Sequence, residues 1–217
     1  MLVHPKPTMS KHRVDAFSDG VFAIACTLLV LNLHIPELTK NASSSELWHA
    51  LLIQWPRLFS FIISFAVIAI FWMGHHIVMH YVRRVDRMFL NINSLYLLLI
   101  AFIPFVAGLI GEHGTNVVAQ LIYGTTLIMT SLALAYLWHY SSHHHRLVDA
   151  DLNSNMIHLA TKMLLIGPVF FLIALGFAFI NTRVSIWFYV IVPLLYVVAG
   201  PVDRIMAMDT RESIDQE

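Results

Sequence analysis

Apolar residues fall into six long runs separated by short polar or Pro/Gly-rich connections, and that pattern predicts six membrane-crossing helices. The first run extends from about Val14 to Ile35, where Pro36 stops it. The second extends from about Leu51 to Tyr81, the third from Met88 to Ile110 and the fourth from Val117 to Trp138. The fifth covers Met163 to Ile180 and the sixth Val184 to Val202. Each is about as long as a helix rising 1.5 Å per residue needs to cross roughly 30 Å of hydrocarbon. The second is longer and must tilt or protrude. The longest polar connection is Tyr140 to His158, and the whole chain, residues 1–217, reads as one all-α, polytopic transmembrane domain. Pro104, Pro168 and Pro193 lie inside predicted helices and mark kinks of the kind membrane helices tolerate.

Composition agrees with this pattern and narrows the function classes. The chain is 58% hydrophobic and 12% charged, whereas soluble domains carry about 25% charged residues. Thirteen Lys and Arg balance thirteen Asp and Glu, so no charge excess points to nucleic acid. One cysteine, Cys26, allows no internal disulfide. The basic residues alternate sides. Lys6, Lys11, Arg13, Arg83, Arg84, Arg87, Arg146, Lys162, Arg204 and Arg211 fall on one side, and Lys40, Arg57 and Arg183 on the other. By the positive-inside rule both termini are cytoplasmic. Trp48, Trp55, Trp138 and Trp187 fall near predicted helix ends, as in an interfacial aromatic belt.

The first helix carries the most information. Arg13, Ser18 and Asp19 precede an almost wholly apolar run. A carboxylate near the bilayer centre costs about 2.5–3.5 kcal/mol on insertion scales, so Asp19 is expected to face protein and to pair with Arg13 or a histidine. At about 100° per residue, Phe17, Gly20, Ile24, Leu28 and Leu31 share one stripe and Asp19 points nearly opposite. Periodicity alone leaves three possibilities for that stripe: lipid contact, bundle packing or a pore lining.

The motif Arg13-x-x-x-Phe17-Ser18-Asp19, continued by Gly-Val-Phe-Ala-Ile-Ala-x-Thr-Leu-Leu-Val, resembles the first helix of the transmembrane protein 175 family, the lysosomal and prokaryotic potassium channels. Phe71-Trp72-x-x-His75-His76, Arg84-x-Asp86, Asn91-x-Asn93-Ser94-Leu95 and Phe102-x-Pro104-Phe105 resemble its second and third helices. The likeness is specific over about residues 13 to 110 and rests on hydropathy beyond. It implies a prokaryotic cell-membrane channel, a homotetramer of six-helix subunits whose first helices line a central pore passing potassium and other monovalent cations with a weak preference over sodium. It further implies a hydrophobic constriction at Ile24, Leu28 and Leu31, with Thr27 as the adjacent polar, selectivity-bearing layer. No Thr-Val-Gly-Tyr-Gly filter is present. Ile24 departs from the leucine of several prokaryotic relatives. Arg13, Phe17, Ser18, Asp19, Trp72, His75 and Asn93 are expected to form a structural polar network joining the first three helices.

Two histidine groups invite other readings. His76 and His80 have the i, i+4 spacing of metal ligands, but no carboxylate or cysteine nearby completes a set. The better reading has His75 and His76 bonding to the polar start of the first helix. His143, His144 and His145 form a cluster of the residue type suited to pH sensing and read as a solvated cytoplasmic loop. With no nucleophile-base pair or phosphate loop, an enzyme is not indicated, and no cofactor or resident metal is expected. Two rivals to the channel stay open: a proton-coupled transporter using Asp19 and the nearby histidines, and a non-conducting scaffold.

Overall fold

The computed structural model describes residues 10–199 except 35, 37, 39 and 40, and the side chains of 192 and 194–199 are also outside the described set. The sequence readings that fall on Lys6, Ile35, Lys40, Val202, Arg204 and Arg211 therefore lie outside the described residues. Within them the fold is all-helical: α1 (Lys11–Leu28), α2 (Ser44–Ile53), α3 (Trp55–Tyr81), α4 (Arg87–His113), α5 (Val117–Ser142), α6 (Ser154–Ala178) and α7 (Thr182–Ala199). Five of these are long and apolar enough to cross a membrane, and α7 is apolar over a shorter described stretch, Thr182–Ile191. The chain is a multi-pass membrane protein.

Several boundaries differ from the sequence reading, each for a local reason. The expected second helix is broken. Gln54 leaves helical geometry at φ −82°, ψ 2°, and a new helix starts with Pro56 in its first turn. Proline has no N–H to give a preceding turn and its ring collides with the carbonyl four residues back, but it is well suited to a helix start. The segment before it, α2, opens with a capping box. The Glu46 N–H donates to Ser43 Oγ at 3.3 Å, and the Ser43 N–H donates to Glu46 Oε2 at 2.7 Å. That backbone bond holds the exposed Glu46 carboxyl below its ordinary value. No residue of α2 is buried, and Leu47, Trp48, Leu51, Leu52 and Ile53 are all exposed.

The fifth expected helix starts earlier, at Ser154, because the Asn153 side chain accepts from the Asn155 N–H and caps α6. The long polar connection shortens accordingly. The α-helix of the first run ends at Leu28 rather than near Ile35. A 3-10 turn, Leu29–Asn32, follows, and Leu33 is already extended. Proline disfavours helical geometry at the residue before it, so Pro36 sets a limit that the chain anticipates by several residues.

The core runs through α4 and α5. Phe89, Tyr96, Ile100, Ile103, Tyr123, Leu127, Leu137 and Trp138 are all buried. Trp138 is therefore a core residue rather than a member of an interfacial belt, and its Nε1–H donates to Thr161 Oγ1 at 3.0 Å. Trp48, Trp55 and Trp187 are exposed. Along α5 the hydroxyls of Thr126, Thr130 and Ser131 bond back to carbonyls four residues earlier, which lets polar residues sit in an apolar interior.

One end of the bundle is tied together by the α3–α4 and α5–α6 connections. Arg83 and Arg84 donate their N–H groups to the Leu147 carbonyl at 2.8 and 3.4 Å, and Arg83 Nε meets Asp149 Oδ2 at 2.6 Å. Asp86 caps α4 by accepting from the Phe89 N–H at 2.8 Å. It also accepts from the Tyr140 hydroxyl at 2.7 Å and pairs with Arg146 at 3.4 Å. Partial burial pushes the Asp86 carboxyl up, but the bonds from Phe89, Tyr140 and Arg146 outweigh it and leave the group below the usual aspartate value. Histidines 143–145 form a 3-10 turn beside this knot, with His144 and His145 both at φ 52°.

A carboxyl whose pKa is lowered by folding contributes stability above its unfolded value, and that contribution is lost as pH falls through the folded one. Asp86→Asn keeps a capping side chain but loses the charge. The variant should melt below wild type at neutral pH by no more than about 1 kcal/mol, since the pair is partly exposed. The gap should close in acid below the ordinary Asp value of 3.8. Thermal melts in detergent across that range check both statements.

Candidate functional site

α1 lies at the edge of the subunit, packed on α3 and α4 by one face only. Val14, Ser18, Phe22, Ala25 and Leu29 are buried, and at about 100° per residue they make a single stripe. Phe22 meets the His75 and Tyr96 rings at 5.7 and 6.0 Å, and those two rings stack on each other at 5.5 Å. Most of the remaining half of the helix is exposed. Phe17, Ile24, Leu28 and Leu31 are 64%, 60%, 41% and 70% exposed, and Thr27 and Gly20 are exposed between them. The 3-10 tightening after Leu28 matters here. Side chains three apart eclipse in that geometry, so Leu31 comes more nearly above Leu28 than a continued α-helix would place it.

Thr27 donates its hydroxyl hydrogen to the Ile24 carbonyl at 2.9 Å. A hydroxyl whose proton is held inward keeps its oxygen lone pairs for an outside donor or cation.

The expected polar network is realised in two separate pieces. Inside, Asn93 joins two helices to its own: its amide donates to Ser18 Oγ at 3.1 Å, and its oxygen lies 2.9 Å from His75 Nε2. Ser18 passes its hydrogen on to the Val14 carbonyl at 2.9 Å. All three side chains are buried, so each needs these bonds, because hydrocarbon offers none. On the flank, Trp72 Nε1–H donates to Asp19 Oδ1 at 2.9 Å.

Asp19 is exposed in the subunit rather than facing its interior, and its partner is the Trp72 indole rather than Arg13 or a histidine. Arg13 and Phe17 are exposed and stay outside the network. Among the described residues His75 is linked to the first helix by hydrogen bonds through Asn93 and by ring contact with Phe22, not by a bond to Asp19, and His76 packs against the Trp72 ring at 5.7 Å. The physical reason is reach. His75 points into the α1–α4 seam, whereas Asp19 lies on the helix edge nearer Trp72.

Sequence reasoning missed Asn32, Pro104 and Gly108 as one unit. Asn32 Nδ2 donates to the Pro104 carbonyl at 2.8 Å, anchoring the end of the first helix to α4. A Cβ at Gly108 would stand 2.6 Å from Asn32 Oδ1, so glycine is what leaves room for the amide. An asparagine soon before a proline and a glycine four residues after another proline were the available signals, but nothing local links them. Asn32→Ala should cost about 1 kcal/mol, the net worth of one hydrogen bond. Gly108→Ala should cost at least as much, and the double variant little more than Gly108→Ala alone, since both remove the same contact. Additive losses in detergent melts would disprove the linkage.

The sequence model of the family described as endosomal/lysosomal potassium channel TMEM175 matches residues 13–104. A Streptomyces collinus protein named as a potassium channel is 33% identical over 188 residues, spanning 85% of this chain and 90% of that one. The chain belongs to the TMEM175 family. A Chamaesiphon minutus potassium channel is 34% identical over 177 residues, covering 80% of this chain and 87% of its own length. The crystal structure of a lysosomal potassium-selective channel TMEM175 homolog from Chamaesiphon minutus superposes with a TM-score of 0.76 at 31% identity, covering 87% of this chain and 97% of that one. The TMEM175 match begins at Arg13 and ends at Pro104, so it encloses the exposed stripe of α1, the Asn93 network and one half of the Asn32 anchor pair's α4 seat.

Proposed function

We propose that this chain is a potassium-preferring cation channel of the prokaryotic cell membrane, a homotetramer of six-crossing subunits with the exposed face of α1 around a central pore. The observation that carries the reading is the exposed apolar face of α1. Phe17, Ile24, Leu28 and Leu31 are exposed on a helix whose other face is tightly seated. The proteins named potassium channels that resemble this chain over most of its length support it. Four copies of Ile24 around an axis make a narrow apolar ring, and Leu28 and Leu31 continue it. An ion crossing such a ring sheds water without gaining carbonyl ligands, so conductance is low and the ion that dehydrates more cheaply, potassium, is favoured. Thr27 supplies hydroxyl oxygens where hydration is thinnest. The bundle end carrying Arg83, Arg84 and Arg146 faces the cytoplasm, by the positive-inside rule.

A proton-coupled transporter is less well supported. Asp19 is bonded to the Trp72 indole, which donates but cannot accept a proton, so no relay leads from it to His75. Planar-bilayer recording of purified protein under a potassium/sodium gradient tests the proposal. A passive current with a reversal potential displaced toward potassium is expected. Flux that appears only with an imposed proton gradient, or no flux from tetrameric protein, would overturn it.

A further inference from the structure

A cavity lies at the end of the bundle away from the Asp86 knot, and nothing in a pore on α1 uses it. It has a volume of about 810 Å³ and is enclosed by α2, the first turns of α3, the last turn of α4, the start of α5, and α7. That volume falls in the range of about 300–1,000 Å³ typical of ligand sites. Its walls are mainly apolar, with Ile53, Phe59, Ile63, Ile110, Ile186 and Val190 among them and hydroxyls of Ser64, Tyr123 and Tyr189 between. It reaches from Gln54 to Ser64 along α3, a depth of about 15 Å at 1.5 Å per residue. A mainly apolar cleft that long matches a hydrocarbon chain rather than a compact polar metabolite.

The rim carries opposite charges side by side. Arg57 and Glu112 both line the cavity and meet at 3.1 Å, with side chains only 32% and 40% exposed. Arg57 also reaches Gln54 Oε1 at 3.4 Å. These contacts leave other guanidinium N–H groups uncommitted. Among the described residues the second carboxylate oxygen of Glu112 has His113 Nε2 near it, at 3.9 Å. A cation donor set and a carboxylate oxygen, adjacent and at the water level of a membrane helix, are complementary to a headgroup that carries a phosphate next to an ammonium. They do not match a purely anionic headgroup, which Glu112 would repel.

We infer that this cavity is a binding site for a zwitterionic, amine-bearing phospholipid from the leaflet at the Arg57 end, with an acyl chain between α3 and α7, the phosphate on Arg57 and the ammonium on Glu112. The site stands independently of conduction, so its test does not use current.

Native mass spectrometry of delipidated protein, offered phosphatidylethanolamine or phosphatidylglycerol of identical chains, reads the site directly. Wild type should retain one phosphatidylethanolamine per subunit with a preference of about tenfold, the scale of one charge-assisted hydrogen bond. The Arg57→Gln/Glu112→Gln double variant should bind both lipids alike. Ile63→Trp, which fills the chamber, should lose both. Equal retention of the two lipids by wild type would overturn the headgroup assignment, and that measurement needs no variant to fold. Undiminished lipid on folded Ile63→Trp would overturn the chamber, as would wild-type protein that holds no lipid because a neighbouring subunit fills the cavity.

Discussion

Ile24→Asn is expected to raise single-channel current on the order of tenfold, equivalent to lowering the barrier by about 1.4 kcal/mol, and to weaken the preference for potassium over sodium. Ile24 is 60% exposed on the apolar face of α1. If four such side chains meet at an axis, an amide in their place offers oxygen ligands and lets water into the ring, which removes much of the dehydration penalty. Thr27→Val should act differently. It deletes the hydroxyl now bonded to the Ile24 carbonyl while keeping shape, so selectivity should fall with little change in assembly. Val30→Asn is the control. Val30 is 51% exposed but lies roughly a quarter turn around from Ile24 and about 120° from Leu31 in the 3-10 turn, so current and reversal potential should stay as in wild type. Bilayer recordings of the three variants, each shown to be tetrameric, decide the matter. Unchanged current and reversal potential in Ile24→Asn would remove Ile24 from the pore.

The largest stability effect should come from Asn93. Among the described residues its side chain bridges Ser18 on α1 and His75 on α3, and all three groups are buried. Asn93→Leu leaves His75 with an unpaired ring nitrogen and Ser18 without its donor, at about 1–3 kcal/mol for each stranded group. A loss of several kcal/mol would release α1 from its seat on α3 and α4, so the proposed tetramer and any current should fail together. Ser18→Ala should be milder, because Ser18 only accepts from Asn93 and spends its own hydrogen on Val14. Thermal melts and size-exclusion profiles in detergent read both variants. If Asn93→Leu melts like wild type, the network does not hold α1 in place. Asp19→Ala should be milder still in the isolated subunit, since Asp19 and Trp72 are both exposed there.

Much of this was legible along the chain. Apolar runs long enough for hydrocarbon had to become helices, because no other open backbone satisfies its own hydrogen bonds there. Five candidate spans, α1 with its 3-10 extension and α3 to α6, overlap the apolar runs, although α6 begins at Ser154 rather than Met163, more than two turns earlier. The stripe on the first helix followed from period alone, and the helix turns the side chains of Ile24, Leu28 and Leu31 to a common face. The capping box at Ser43 and Glu46 was also present in the sequence as a Ser-x-x-Glu signal, and it marks a helix that hydropathy alone merges into the next.

What the tertiary structure decided was which polar residue meets which. Arg13, Asp19 and His75 are close in type and in expected depth, so sequence placed them in one network. The packing of α1 against α3 and α4 instead gives His75 to Asn93 and Asp19 to Trp72, and leaves Arg13 outside. Asn32, Pro104 and Gly108 illustrate the same limit. Their contact spans 72 residues of chain and depends on a missing Cβ, a property that no local pattern records. Helix identity is a short-range property, set by solvent and backbone hydrogen bonding. Side-chain partnership is long-range, set by how the helices rotate and settle against one another once they are already formed.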